Sequence, residues 1–447
     1  MNNFKIAIIG AGSLSFTRKL MGDILTVEAF NNIDITMMDI NEKYLEMTRK
    51  LCQKDINENG LDIKIETTLD QREAVTDAKY VINCARVGLL EGLKMDVEIP
   101  LKYGVSQCVG DTLGPGGIMY GQRGIPMVLE LCKDIREAGD DDCILLNYAN
   151  PNAMITWACN HYGNVKTMGL CHGVMGGHAL LAQVLEVPQE ELNYTAAGIN
   201  HQTWFIQLQY KGEDMTDKVL PAFESHPEIL KHEKVRVDML RRFGYFSTES
   251  NGHLSEYLPW YRKDEDELQN WIPDEEDRVK FSDGASKAYY EKCYSRRNEY
   301  ENNFEEWLQK PSRKFKEENR SREHGSYIME GLETGKRYRG HFNVVNQGVI
   351  DNLADDAIVE VPGYIDATGI NIPRVGSLPA GCAAVCSTSI NTQRLSVKAA
   401  LKGDYNLLIQ AMMMDPLTGA ILTPPEIEEM TREMLQTEKK WLPQYEL

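Results

Sequence analysis

The sequence has no uninterrupted apolar run approaching the roughly 18 residues that a membrane-spanning helix requires, so no transmembrane helix is expected. It also lacks positive charge: 48 Lys and Arg stand against 67 Asp and Glu, for a formal net charge of −19. A nucleic-acid partner needs a concentrated basic surface, and none is present. The ten cysteines are scattered without a Cys-x-x-Cys pair. That excludes a zinc knuckle or a disulfide scaffold and favours reduced thiols in a cytoplasm. No charged leader, apolar core and cleavage site precede the first apolar strand, so a secretory signal is not expected. Repeats and low-complexity linkers are missing too. What is there is an ordinary globular composition, 42% hydrophobic and 26% charged over 447 residues. This length accommodates two intimately joined domains, expected at 1–200 and 201–447.

The first 150 residues alternate strand and helix. Lys5–Ile9 is an apolar run suited to a parallel strand buried on both faces. Gly10-Ala-Gly12 and Ser13 follow, then a helical pattern from Leu14 to Glu28. A second strand, Ile33–Met38, ends at Asp39. Glycines at such a turn let a pyrophosphate approach the helix N-terminus, and an acidic residue ending the second strand accepts ribose hydroxyls. That arrangement favours NAD over NADP. The third glycine of the usual fingerprint is Ser15, so the motif is weak alone and gains from its context. Further strands at Tyr80–Cys84 and Cys143–Asn147 end in amides, with Asn83 and Asn150 placed where open α/β sheets bind ligands. The segment from Gly110 to Ile118 is dense in glycine and proline and reads as a loop, with Asp111 its one ionisable group.

Two further strand ends carry metal-ligand chemistry. Cys171-His172 follows the apolar Met168-Gly-Leu, and His201 follows Thr195-Ala-Ala-Gly-Ile-Asn. A lone Cys or His is more often structural. Two of them at strand ends suit a divalent cation with positions left open for substrate oxygens. The charged runs Lys263–Glu267, Asp274–Arg278 and Lys310–Glu323 read as solvated faces and connections.

Taken in order, Gly10-Ala-Gly-Ser13, Asp39, Asp111-Thr-Leu-Gly-Pro-Gly-Gly-Ile118, Asn147-Tyr-Ala-Asn-Pro151, Cys171-His-Gly-Val174 and Gly198-Ile-Asn-His201 resemble family 4 of the glycoside hydrolases. This is the NAD-dependent exception among glycosidases. The resemblance spans the chain, including Asn346–Leu353, Val375–Pro379 and Met414-Asp-Pro416. It implies an α/β fold: an N-terminal Rossmann-like doubly wound parallel sheet related to lactate and malate dehydrogenases, then a C-terminal mixed α+β domain for substrate, metal and oligomerisation. It implies NAD bound by Gly10, Gly12, Ser13, Asp39 and Asn83, and Mn²⁺ or another divalent metal held by Cys171 and His201. Asp111 is counted with the catalytic residues, and Asn150, His172 and Arg86 with substrate binding.

The chemistry implied is oxidation at C3 of the sugar, removal of the C2 proton, departure of the aglycone, water addition and re-reduction. Members acting on 6-phosphosugars resemble Cys-Asp-Met-Pro or Cys-Asn-Val-Pro where this chain has Cys-His-Gly-Val. The resemblance is therefore to the subgroup using unphosphorylated glycosides, with α-galactosides leading. α-Glucosides and α-uronides are alternatives, the latter needing a cation from Arg86, Arg123 or Arg262. His172 is the candidate leaving-group acid and Tyr257 the candidate base, with His253 as a possible further metal contact. A malate- or lactate-type dehydrogenase is the alternative from another class. A homodimer or homotetramer acting on a small carbohydrate, with no nucleic acid or membrane partner, completes the expectation.

Overall fold

A computed structural model describes residues 3–272 and 284–446. The acidic run at 274–278 lies outside the described residues. The first six strands are β1 (Lys5–Ile9), β2 (Asp34–Met38), β3 (Ile65–Thr68), β4 (Ala78–Asn83), β5 (Ile144–Asn147) and β6 (Thr167–Gly169). They pair in parallel in the order β3-β2-β1-β4-β5-β6, the dinucleotide-binding arrangement. Alternate residues of β1 face opposite layers. Ile6 and Ile8 join a core with the helices Leu14–Ile24 and His324–Thr334, while Ala7 and Ile9 join one with the helix Gly114–Ala138. Burial on both faces is why these strands read as unbroken apolar runs.

The sheet does not stop at β6. Beyond it come β11 (Tyr338–Val345), β12 (Ile358–Asp366), β7 (Leu192–Ile199), β8 (Gln202–Tyr210) and β10 (Phe246–Ser247), all paired antiparallel. Two short strands, β9 (Glu213–Asp214) and β13 (Gly369–Asn371), add to β8 and β12. Among the described residues the result is one 13-stranded sheet, parallel in one half and antiparallel in the other. Residue 200 falls in the tight turn between β7 and β8. Among the described residues no helix is long and apolar enough to cross a membrane.

Candidate active site

The first strand-to-helix turn is built for close approach. Gly10 has φ +80°, and a β-carbon on it would come within 2.6 Å of the Ala85 backbone. Only glycine satisfies both demands. The Gly10 and Ala11 amides donate to the Met38 carbonyl at 3.0 and 2.9 Å, tying the turn to β2. Asp39, one residue beyond β2, accepts from Gly12 N–H through Oδ2 and from Asn41 N–H through Oδ1, both at 2.8 Å. Each oxygen keeps lone-pair capacity for a hydroxyl. Ser13 precedes the helix Leu14–Ile24 without a side-chain cap, so no side chain occupies the amides of its first turn. Ile40 and Leu69, exposed at the ends of β2 and β3, offer apolar flanks for a planar base. These features fit a dinucleotide. Asn83 is different: fully buried, its amide donates to Asn147 Oδ1 at 2.9 Å and accepts from Ala85 N–H at 3.2 Å. It joins the ends of β4 and β5, with its polar atoms engaged inside the protein.

Cys171 and His201 do not follow neighbouring strands. β11 and β12, from the far end of the chain, lie between β6 and β7. Pairing continues across them in one row, Gly169–Asn343–Glu360–Gly198. Cys171 follows that row on β6 and His201, at φ +63°, follows it on β7. Ligand atoms of Cys171, His201 and Glu249 all lie within 4.8 Å of one another, and so do those of Asp111, His201 and His253. Thiol, imidazole and carboxylate together suit a first-row divalent cation.

Burial, then Glu249 and Glu360, push the Cys171 thiol well above its ordinary range. A bound dication reverses that preference, because a coordinating thiol gives up its proton. The Gly173 amide already donates to Cys171 Sγ at 3.4 Å. Burial also raises the Glu249 carboxyl, but His201, His253, His172 and Arg236 outweigh it and hold the group below the usual carboxylate range. His201 is oriented from behind. Thr112 Oγ1 donates to Asp111 Oδ1 at 2.8 Å and lies 2.8 Å from His201 Nδ1. A hydroxyl already donating must accept from Nδ1–H, which leaves the Nε2 lone pair for a cation. Asp111 in turn accepts from Asn150 Nδ2 at 2.8 Å.

Tyr257 is fully buried with its hydroxyl 3.4 Å from His201 Nδ1. Burial, then Asp111 and Glu256, raise its phenol well above the ordinary value. The protein alone therefore opposes a phenolate here, and a neighbouring cation is what would favour one. Glu256 anchors the neighbourhood by accepting from the amides of Cys108, Val109 and Gly110 at 2.7, 3.1 and 3.0 Å. His172 sits at the mouth, its side chain 66% exposed and its Nδ1 3.5 Å from Glu323 Oε1. Glu323 itself is buried and accepts from Lys19 Nζ at 2.6 Å. His324 lies 3.0 Å through Nε2 from the Cys171 carbonyl and 2.6 Å through Nδ1 from the Tyr338 hydroxyl.

A profile described as family 4 glycosyl hydrolase matches residues 5–187, and one for the family's C-terminal domain matches residues 196–418. The chain belongs to family 4 of the glycosyl hydrolases. It is 49% identical over 446 residues to an α-galactosidase of Rhizobium meliloti (strain 1021), covering 100% of this chain and 90% of that protein. An α-galactosidase of Bacillus subtilis (strain 168) is 33% identical over 450 residues, covering 99% of each. The fold matches a 6-phospho-α-glucosidase from gut microorganisms, solved in complex with NAD and Mn²⁺, at a TM-score of 0.81 and 20% identity over 100% of both chains. The chain is thus a glycoside hydrolase and not a dehydrogenase.

Three sequence expectations for this family 4 enzyme need correction. The glycine-rich segment is a loop only as far as Leu113, because Gly114 begins a helix that runs to Ala138. Proline is tolerated in a first helical turn, and a β-carbon at Gly117 would meet the Thr112 backbone at 2.5 Å. The segment 310–323 is largely an exposed connection, as expected, but not all of its charges are solvated. Arg320 is buried against Glu330 at 2.6 Å, Arg313 pairs with buried Asp23 at 2.7 Å, and Glu323 reaches the site. Arg313 and Glu323 face partners across the fold, Asp23 and Lys19, that local composition does not reveal. Of the three arginines offered for a uronate, Arg123 is locked between Asp96 and Glu438, and Arg262 by Ser106, Ser255 and Gly284. Arg86 lies over the Tyr120 ring at 4.3 Å, with Nε and Nη2 buried and without a hydrogen-bond partner among the described residues.

Sequence reading placed the stretch from Glu249 to Tyr261 at the site but gave no role to Glu249, Thr112, Glu323 or Glu360. Thr112 adjoins Asp111 and could have been suspected. The others sit on segments whose only link to the strand ends is the fold.

Proposed function

We propose that this enzyme hydrolyses terminal, unphosphorylated α-galactosides with NAD⁺ and a divalent cation, Mn²⁺ foremost. The convergence of Cys171 and His201, with ligand atoms within 4.8 Å, in a chain that also carries a dinucleotide turn, supports the reading. The α-galactosidases at 49% and 33% identity support the sugar. When bound, NAD⁺ supplies a reversible oxidation and the cation polarises the neighbouring sugar oxygens. The residues divide the remaining work. The Gly10–Ser13 turn and Asp39 hold the dinucleotide, and Asp111 and Asn150 orient sugar hydroxyls. Tyr257 removes the proton from C2. His172, exposed at the mouth, gives a proton to the departing glycosidic oxygen, as an imidazole near neutral pKa is suited to do. The enzyme acts in a reducing cytoplasm, in keeping with ten free cysteines, as a homodimer or homotetramer.

Hydrolysis of melibiose in D₂O, followed by NMR of the released galactose, tests this directly. Deuterium at C2 is expected, and full retention of C2 protium would falsify the elimination route. One observation favours a second reading. The unpartnered donors of Arg86 suit a carboxylate, so an α-galacturonide is the substrate to run beside the α-galactoside.

A further inference from the structure

We infer that Glu249 is a third protein ligand to the divalent cation, admitted to the site by the missing side chain of Gly173. The inference rests on the metal site of the proposed function and extends it beyond Cys171 and His201. Three observations carry it. Glu249 places a carboxylate oxygen within 4.8 Å of both the Cys171 sulfur and a His201 ring nitrogen. Its Oε2 is buried and has no hydrogen-bond partner among the described residues. A carboxylate oxygen so placed is costly unless a positive charge meets it. Finally, a β-carbon on Gly173 would stand 2.3 Å from that Oε2 and 2.9 Å from the carboxyl carbon. Gly173 opens the helix Gly173–Val184 and does not have a positive φ, so its backbone does not demand glycine. The space that Glu249 occupies does. The guanidinium of Arg236 donates to the Glu249 carbonyl, holding the backbone from the other side.

Thiolate and carboxylate together would neutralise a dication held by Cys171, His201 and Glu249, with its further positions open to sugar oxygens. Three protein ligands would let the cation bind before the sugar arrives.

The test is a Mn²⁺ titration followed by electron paramagnetic resonance, on the full chain with NAD⁺ and no sugar. Glu249→Gln should raise the Mn²⁺ Kd at least tenfold and leave the NAD⁺ Kd unchanged. Gly173→Ala removes no ligand, yet should raise the Mn²⁺ Kd comparably by displacing the carboxylate. The double variant should be no worse than Glu249→Gln alone. Cys171→Ser serves as the control for the site itself. If Cys171→Ser loses Mn²⁺ while Glu249→Gln and Gly173→Ala bind it as the native chain does, the third ligand is refuted and the two-residue site stands. Native affinity in Cys171→Ser would overturn the site and the inference together. Should Glu249→Gln fail to fold, judged by circular dichroism and NAD⁺ binding, Gly173→Ala decides.

Discussion

The Nδ1 of His201 and the Oγ1 of Thr112 stand 2.8 Å apart, and this contact selects which ring nitrogen can meet a metal. Because Thr112 donates onward to Asp111, it accepts from the imidazole and holds Nε2 unprotonated. Thr112→Val keeps the shape and removes the acceptor. Mn²⁺ affinity should fall by about 10–100-fold, the usual effect of losing such a partner. Calorimetry on the variant should find NAD⁺ binding unaltered. Native metal affinity would mean that the ring needs no orientation from behind.

Asp39 binds the amides of Gly12 and Asn41 and keeps acceptor capacity for ribose. Asp39→Ala should weaken NAD⁺ by about 1.5–3 kcal/mol, the range for hydrogen bonds to a charged group. Metal binding at Cys171 and His201 should be untouched. An unchanged NAD⁺ Kd in calorimetry would place the ribose elsewhere.

His172 and Tyr257 separate by leaving group. His172→Ala should cripple hydrolysis of melibiose and largely spare a nitrophenyl α-galactoside, whose leaving group departs with little protonation. Tyr257→Phe should slow both substrates. Equal losses on both substrates in the His172 variant would remove its role as acid.

His324 supplies a pH dependence of stability. Burial lowers its pKa from the ordinary 6.5 to about 4, against the opposing pull of Glu323 and the Cys171 carbonyl. A lowered folded-state pKa means that the unfolded chain binds the proton first. The contribution is present above pH 6.5 and is lost as pH falls through about 4. Over that window it amounts to about 3 kcal/mol. Buried His253 and His341 and half-buried His178 shift in the same direction. Melting temperature should fall between pH 6.5 and 4, and less steeply in His324→Asn. An identical slope in that variant would shift the effect to the other histidines.

Local chemistry alone was enough for the strands β1 and β2, the glycine turn with Asp39, and Cys171 and His201 as ligand candidates. An apolar run buried on both faces, a turn that needs φ above zero and a soft donor at a strand end each leave a mark within a few residues. Other features depend on where distant segments come to rest. β11 and β12 insert between the strands carrying Cys171 and His201, which gives the row through Asn343 and Glu360. Glu323, in a charge-rich stretch, is buried because its partner Lys19 comes from across the fold. Glu249 meets Gly173 only once β6 and the segment after β10 pack together. Local sequence was enough to name groups suited to a dinucleotide and a cation. Which side chains surround them depends on packing, because burial, charge pairing and steric room are set by contacts far apart along the chain.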